Sequence, residues 1–140
     1  MRTITLKLDL FAHTERRESS EAVLRLLLEV LCAADVLYLQ EHPRTPPLYR
    51  AGVRYREERA HVVGGPIPEE WKAIPYVLAD GFGDCEDLAC WRVAELLCQG
   101  IAAQPQFSFR MLTPAIAMYH ITVRHPDGRT EDPSRRLGMR

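Results

Sequence analysis

The sequence predicts a single α+β domain, and three observations carry that prediction. Helix-like and strand-like patterns are segregated along the chain, with long helical runs mostly first and an antiparallel hairpin last. At 140 residues the chain has the size of one domain, and 46% hydrophobic with 26% charged residues is an ordinary globular balance. No internal repeat or low-complexity linker divides residues 1–140.

Taken in order, Ile4, Leu6, Leu8 and Leu10 alternate with Thr3, Thr5, Lys7 and Asp9, the pattern of a half-buried strand. Ser19 and Ser20 can cap a long helix over about Glu21 to Gln40. Its polar stripe of Glu21, Arg25 and Glu29 is narrow, so the helix is expected at the centre of the core or partly against a partner. His42-Pro43 ends it, and Pro46-Pro47 keeps the next stretch extended. From Leu48 to Val63, Arg50, Arg54, Arg56 and Arg59 interleave with Tyr49 and Tyr55. That mixture can bind single-stranded nucleic acid or an acidic peptide. Glu57 and Glu58 among the arginines favour the plainer reading, a solvated extended segment flanking a cleft.

Pro68-Glu69-Glu70 is a helix start, Pro75 interrupts that helix, and Gly81-Phe82-Gly83 ends the element. A strong helix follows from Asp84 to Gln99, with Gly100 at its C-terminal cap. Ala89, Val93, Leu96 and Leu97 form its core stripe, and Cys90 and Cys98 read as small buried hydrophobes. Gln106 to Leu112 and Met118 to His125 are strand-like, and Pro126-Asp127-Gly128 turns the chain into a last strand, Arg129 to Asp132. The tail from Ser134 to Arg140 is expected to be loosely held.

Composition excludes several function classes. A formal net charge of -1 gives no general attraction to nucleic acid or to an anionic membrane, so neither is an expected partner. The start of the chain lacks the apolar run and small-residue cleavage site of a targeting signal. Arg25, Glu29 and Asp35 make the longest apolar stretch, Ala22 to Leu39, a poor membrane span. The expected compartment is the cytoplasm, with Cys32, Cys85, Cys90 and Cys98 as reduced thiols. Their spacing suits neither a disulfide framework nor a zinc site, and neither metal nor cofactor is expected. The apolar helix over residues 21–40 is the candidate surface for a homo-oligomer.

Cys85 carries the first chemical signal. Asp84 is a suitable N-cap, which puts Cys85 at about the first helical position, near unpaired N–H groups and the positive end of the helix dipole. Both favour a thiolate. The preceding glycines allow close backbone approach and leave the Cys85 N–H as a candidate oxyanion donor. Asp84, Glu86 and Asp87 act in the opposite sense, so a catalytic Cys85 needs an imidazolium partner.

His120 is that candidate partner. It shares a strand face with Thr122 and Arg124, while Tyr119, Ile121 and Val123 occupy the other. His125-Pro126-Asp127-Gly128-Arg129 fits a three-residue hairpin loop with Gly128 in the left-handed bulge position. That loop pairs His125 with Arg129, sets Thr122 opposite Asp132, and makes Asp132 the diagonal neighbour of His120. A carboxylate there can fix the tautomer of the ring and stabilise its charged form. A slip of one residue would present Glu131 instead. His13, His42, His61 and His125 read as structural.

The order Cys85, His120, Asp132 resembles the transglutaminase-like superfamily of papain-like cysteine enzymes. Gly83-Asp84-Cys85-Glu86-Asp87-Leu88-Ala89 is similar to its nucleophile motif, Tyr119-His120-Ile121-Thr122-Val123 to its histidine strand, and Glu131-Asp132-Pro133-Ser134 to its Asp-Pro-Ser/Thr ending. Gly100-Ile101-Ala102-Ala103-Gln104 resembles the family's Gly-Ile-Pro-Ala-Arg, with Ala102 and Gln104 replacing proline and arginine. The fuller text resembles a small single-domain type from phage and bacterial genomes. The resemblance implies a papain-like core over about 68–135, with the nucleophile helix packed on an antiparallel sheet that bears histidine and aspartate. It implies thioester chemistry on a peptide or protein amide, ending in hydrolysis. The alternatives are glutamine acyl transfer or deamidation by the same triad, or a non-catalytic binding or assembly module. Trp71 and Tyr55 are candidates for oxyanion or substrate contacts.

Overall fold

The helix that follows Gly83 is the element on which the others are assembled. In a computed structural model that describes residues 3–5, 17–57, 70–113 and 116–140, it runs Cys85–Cys98 (α3). From Cys85 to Leu96 every residue except Arg92 is buried, so α3 has apolar neighbours on two sides. On one side Cys85, Ala89, Cys90, Val93 and Leu96 meet Leu28, Leu31 and Cys32 together with Ile121 and Val123. On the other, Leu88 and Trp91 meet Leu48, Val53, Ile74 and Val77. The long apolar helix, Arg17–Glu41 (α1), is not central to the core: it buries Leu24, Leu28, Leu31, Cys32 and Asp35 on one face and leaves Leu26, Val30 and Leu37 exposed, where a partner was the other expectation.

The chain is α+β. The order is α1, β1 (Arg54–Tyr55), α2 (Ile74–Asp80), β2 (Phe82–Gly83), α3, β3 (Gln104–Thr113), β4 (Ile116–Arg124), β5 (Thr130–Glu131) and α4 (Pro133–Arg136). An antiparallel sheet in the order β3-β4-β5 packs on α3 through β4, and a small parallel pair joins β1 to β2. That pair sets Tyr55 against Gly83, which brings residue 55 beside the start of α3. No helix among the described residues is long and apolar enough to cross a membrane.

Several expectations change. Ser19 and Ser20 lie inside α1 rather than at its cap. Of the N-terminal strand, residues 3–5 carry no strand pairing, and residues 6–10 lie outside the described residues, as do His13 and His61. The start at Pro68 is also outside them. Glu70 to Ala73 are not helical, and Pro75 sits in the first turn of α2, where its missing N–H costs nothing, rather than interrupting a helix. The stretch after Pro47 is not simply solvated: Leu48 opens a 3-10 turn, Leu48–Arg50, and both Leu48 and Val53 are buried. Leu97 and Cys98 are exposed although Leu96 beside them is buried against the sheet, so the core stripe of α3 ends at Leu96. The tail is folded: Ser134 is fully buried in α4, and the Leu137 carbonyl accepts from Tyr55 N–H at 3.0 Å.

Candidate active site

The start of α3 is held by a reciprocal cap. The Asp84 carboxylate accepts from backbone N–H groups of the first turn, and Asp87 Oδ2 accepts from Asp84 N–H at 3.1 Å. The second Asp87 oxygen accepts from Lys72 N–H at 2.7 Å. Asp87 thus turns away from the thiol, contrary to expectation. Gly83 is needed here for space: a Cβ at that position would stand 3.0 Å from Asp87 Cβ and 3.3 Å from Leu88 Cδ2.

Cys85 therefore begins the helix as expected, and it is buried. Its backbone N–H is not free to meet an oxyanion, because it donates to Asp84 Oδ1 at 2.6 Å. Its thiol donates to Glu86 Oε2 at 3.2 Å. Burial pushes the thiol pKa far above its ordinary value, and the charges of Glu86 and Asp84 push it further. A backbone hydrogen bond from Ile121 acts in the opposite direction. Cys85 and Ile121, the residue next to His120, belong to one buried cluster.

The hairpin has the register read from its turn. His125 N–H donates to the Arg129 carbonyl at 2.8 Å, Gly128 has φ +87°, and the ladder pairs Arg124 with Thr130 and Val123 with Glu131. The next step in that register joins Thr122 to Asp132. Asp132 has already left the strand as the N-cap of α4, where it accepts from Arg135 N–H at 3.2 Å. Its other oxygen, Oδ2, lies 2.9 Å from His120 Nε2. A carboxylate at Nε2 leaves Nδ1 as the ring nitrogen able to exchange a proton with a nucleophile.

Tyr55 and Trp71 also reach this region. The Tyr55 hydroxyl is hydrogen-bonded to the Asp84 carboxylate; burial and the charges of Asp84, Cys85 and Glu57 hold its pKa above the usual phenol value. Trp71 is half-buried and packs against the cluster that contains Cys85. Asp84, Cys85 and Glu86 offer ligand atoms within 4.8 Å of one another, the one group among the described residues able to close on a cation. Glu131, the fallback partner of His120, faces the other way and binds Tyr49 Oη, Arg92 Nε at 2.8 Å and His125 Nε2 at 2.7 Å. Arg92 is marked in the sequence only as an arginine three residues before Glu95, the spacing of a helical ion pair.

No protein-family model matches the chain, and no curated protein or solved structure matches it closely enough to count as a relative.

Proposed function

We propose that this domain is a transglutaminase-like, papain-like cysteine enzyme that cleaves amides through Cys85, His120 and Asp132. The observation that carries the reading is the His120 Nε2–Asp132 Oδ2 contact at 2.9 Å, on the strand whose next residue, Ile121, is buried in one cluster with Cys85. A nucleophile at the first turn of a helix, packed on an antiparallel sheet that bears a carboxylate-held imidazole, is the arrangement acyl transfer needs.

In the reaction the Cys85 sulfur bonds to the amide carbon while its proton passes to His120 Nδ1. His120 returns that proton to the leaving amine as the C–N bond breaks, which leaves a thioester. Water then attacks the thioester carbon and gives a proton to His120. The C–S bond breaks, and the proton returns to the sulfur. A primary amine in place of water would give transfer. A reducing compartment such as the cytoplasm would keep Cys85 a free thiol.

The test is acylation by an activated ester such as p-nitrophenyl acetate, read by nitrophenolate release and by peptide mass. The acyl group is expected on Cys85, absent in Cys85→Ser and slowed roughly 10²- to 10⁴-fold in His120→Ala. Acylation confined to exposed Cys98, or a rate indifferent to His120, would reject the enzyme reading. It would favour the second reading, a binding module, which the carboxylates of Asp84 and Glu86 around the thiol support.

A further inference from the structure

Beside the candidate triad, and on the opposite side of the same hairpin, lies a set of polar contacts that the proposed chemistry does not use. Glu131 accepts hydrogen bonds from Tyr49 Oη, from Arg92 Nε at 2.8 Å and from His125 Nε2 at 2.7 Å. Arg92 also reaches Glu95 Oε2 at 3.0 Å, and Glu95 Oε1 accepts the buried Leu48 N–H at 2.6 Å. The guanidinium groups of Arg92 and Arg136 lie over the Tyr49 ring, at 5.4 and 3.9 Å from its centroid. Burial alone would raise the Glu131 carboxyl, but hydrogen bonds from Tyr49, Arg92 and His125 outweigh it and hold the group below its ordinary value. Glu131 is thus an ionised anchor.

Where this anchor sits gives it consequence. Strand β5 has two residues, and its ladder with β4 stops at Glu131, one residue before Asp132. Beyond these two backbone pairs, Asp132 is held by the cap that its Oδ1 makes with Arg135 N–H. The Glu131 side chain is held from three directions, and neighbouring side chains on an extended chain point to opposite faces. Fixing Glu131 on one face therefore aims Asp132 at His120 on the other. Arg92 adds a second constraint, because it belongs to α3, the helix that carries Cys85. Seven residues, about two turns and roughly 10 Å of helix rise, lie between the two positions on α3. The Arg92–Glu131 pair thereby ties the nucleophile's helix directly to the strand end that presents the carboxylate.

We infer that Arg92 and Glu131 are positioning residues for the candidate triad, fixing Asp132 against His120 and the His120–Asp132 pair against the helix of Cys85. The inference rests on the proposed reading of that triad, but the geometry of His120 and Asp132 can be measured without it. Arginine suits the role because its planar fork can bind Glu131 and Glu95 together, which a lysine ammonium does less well.

Two readouts test it, each on Arg92→Gln, Glu131→Gln, Arg92→Lys and Tyr49→Phe, with Asp132→Asn setting the scale. The first is the low-field proton resonance of His120 Nε2–H, which reports the hydrogen bond to Asp132. It is expected to broaden or vanish in Arg92→Gln and Glu131→Gln while the amide spectrum stays dispersed. The second is the rate of Cys85 acylation, expected to fall roughly ten- to a hundredfold, the cost of a misplacement on the order of 1 Å. Arg92→Lys should recover part of both. If Arg92→Gln does not fold, the Arg92→Lys and Tyr49→Phe proteins carry the comparison, with smaller changes of the same sign.

A wild-type resonance and acylation rate in Arg92→Gln and Glu131→Gln would overturn the inference and leave the triad standing. Should wild-type Cys85 fail to acylate, the proposed function falls, and the His120 resonance alone decides whether Arg92 and Glu131 position Asp132.

Discussion

Asp35 offers a stability test with a calculable size. It lies fully buried on the inner face of α1, where Oδ1 accepts the Ile74 N–H at 2.8 Å and Oδ2 takes no hydrogen bond. Burial pushes its carboxyl up to about 8; the Ile74 hydrogen bond opposes the rise and the charge of Asp87 adds to it. Between the ordinary value of 3.8 and that one, the folded protein keeps a proton that the unfolded chain has lost. Stability from this source is then greatest at low pH and declines as pH rises. At ~1.36 kcal/mol per unit, the span from about pH 5 to pH 8 removes about 4 kcal/mol. Folded domains typically hold only about 5–15 kcal/mol in total. Asp35→Asn retains an acceptor for Ile74 and never ionises. Urea unfolding of both proteins across that range should show the variant gaining on the wild type by about 4 kcal/mol from the acid to the alkaline end. Parallel profiles would mean that Asp35 is not held neutral, and the reasoning would fail.

Other outcomes follow from the same contacts. Gly83→Ala forces a Cβ to 3.0 Å from Asp87 Cβ and should cost about 1–3 kcal/mol in chemical denaturation. Asp87→Ala leaves the N–H groups of Lys72 and Asp84 without their carboxylate and should cost about 2–4 kcal/mol, read the same way. Deleting residues 137–140 removes the acceptor of the Tyr55 N–H, and faster hydrogen exchange at that amide is the measurement.

Local rules made much of the site legible. The Pro126-Asp127-Gly128 loop fixed the hairpin register, and the register brought Asp132 to His120, because side chains alternate strictly along strands. Asp84 and the glycines before it marked the start of α3 correctly. What the sequence did not disclose depends on partners distant along the chain. Glu131 sits next to Asp132 in sequence yet binds Tyr49 and Arg92, and neither pairing leaves a periodic trace. Asp35 reads as an ordinary polar residue of a long helix, although it caps the start of α2 from within the core. The Cys85 N–H was expected to be free because the first turn of a helix has spare donors, but the cap residue itself takes this one.

The state of the Cys85 thiol can be decided by comparing the effects on it. A helix N-terminus contributes about 0.3–1 kcal/mol toward an anion, and up to ~2 when partly buried. Burial can move a titrating group by about 3–5 units, which is roughly 4–7 kcal/mol. Here burial is the largest influence, and the carboxylates of Glu86 and Asp84 add to it. The dipole of α3 and the Ile121 hydrogen bond are too weak to reverse that sum, so the resting group is a neutral thiol donating to Glu86. In the proposed reaction His120 would then take the proton as the sulfur attacks, the manner of a serine nucleophile rather than of a preformed thiolate–imidazolium pair. Ultraviolet thiolate absorbance, taken as the difference between wild type and Cys85→Ser, should accordingly stay flat from about pH 5 to pH 9. Glu86→Gln removes the nearer charge and should lower the pH at which the signal appears. A thiolate signal in the wild type at neutral pH, lost in Cys85→Ser, would show that the imidazole charge outweighs burial and both carboxylates together.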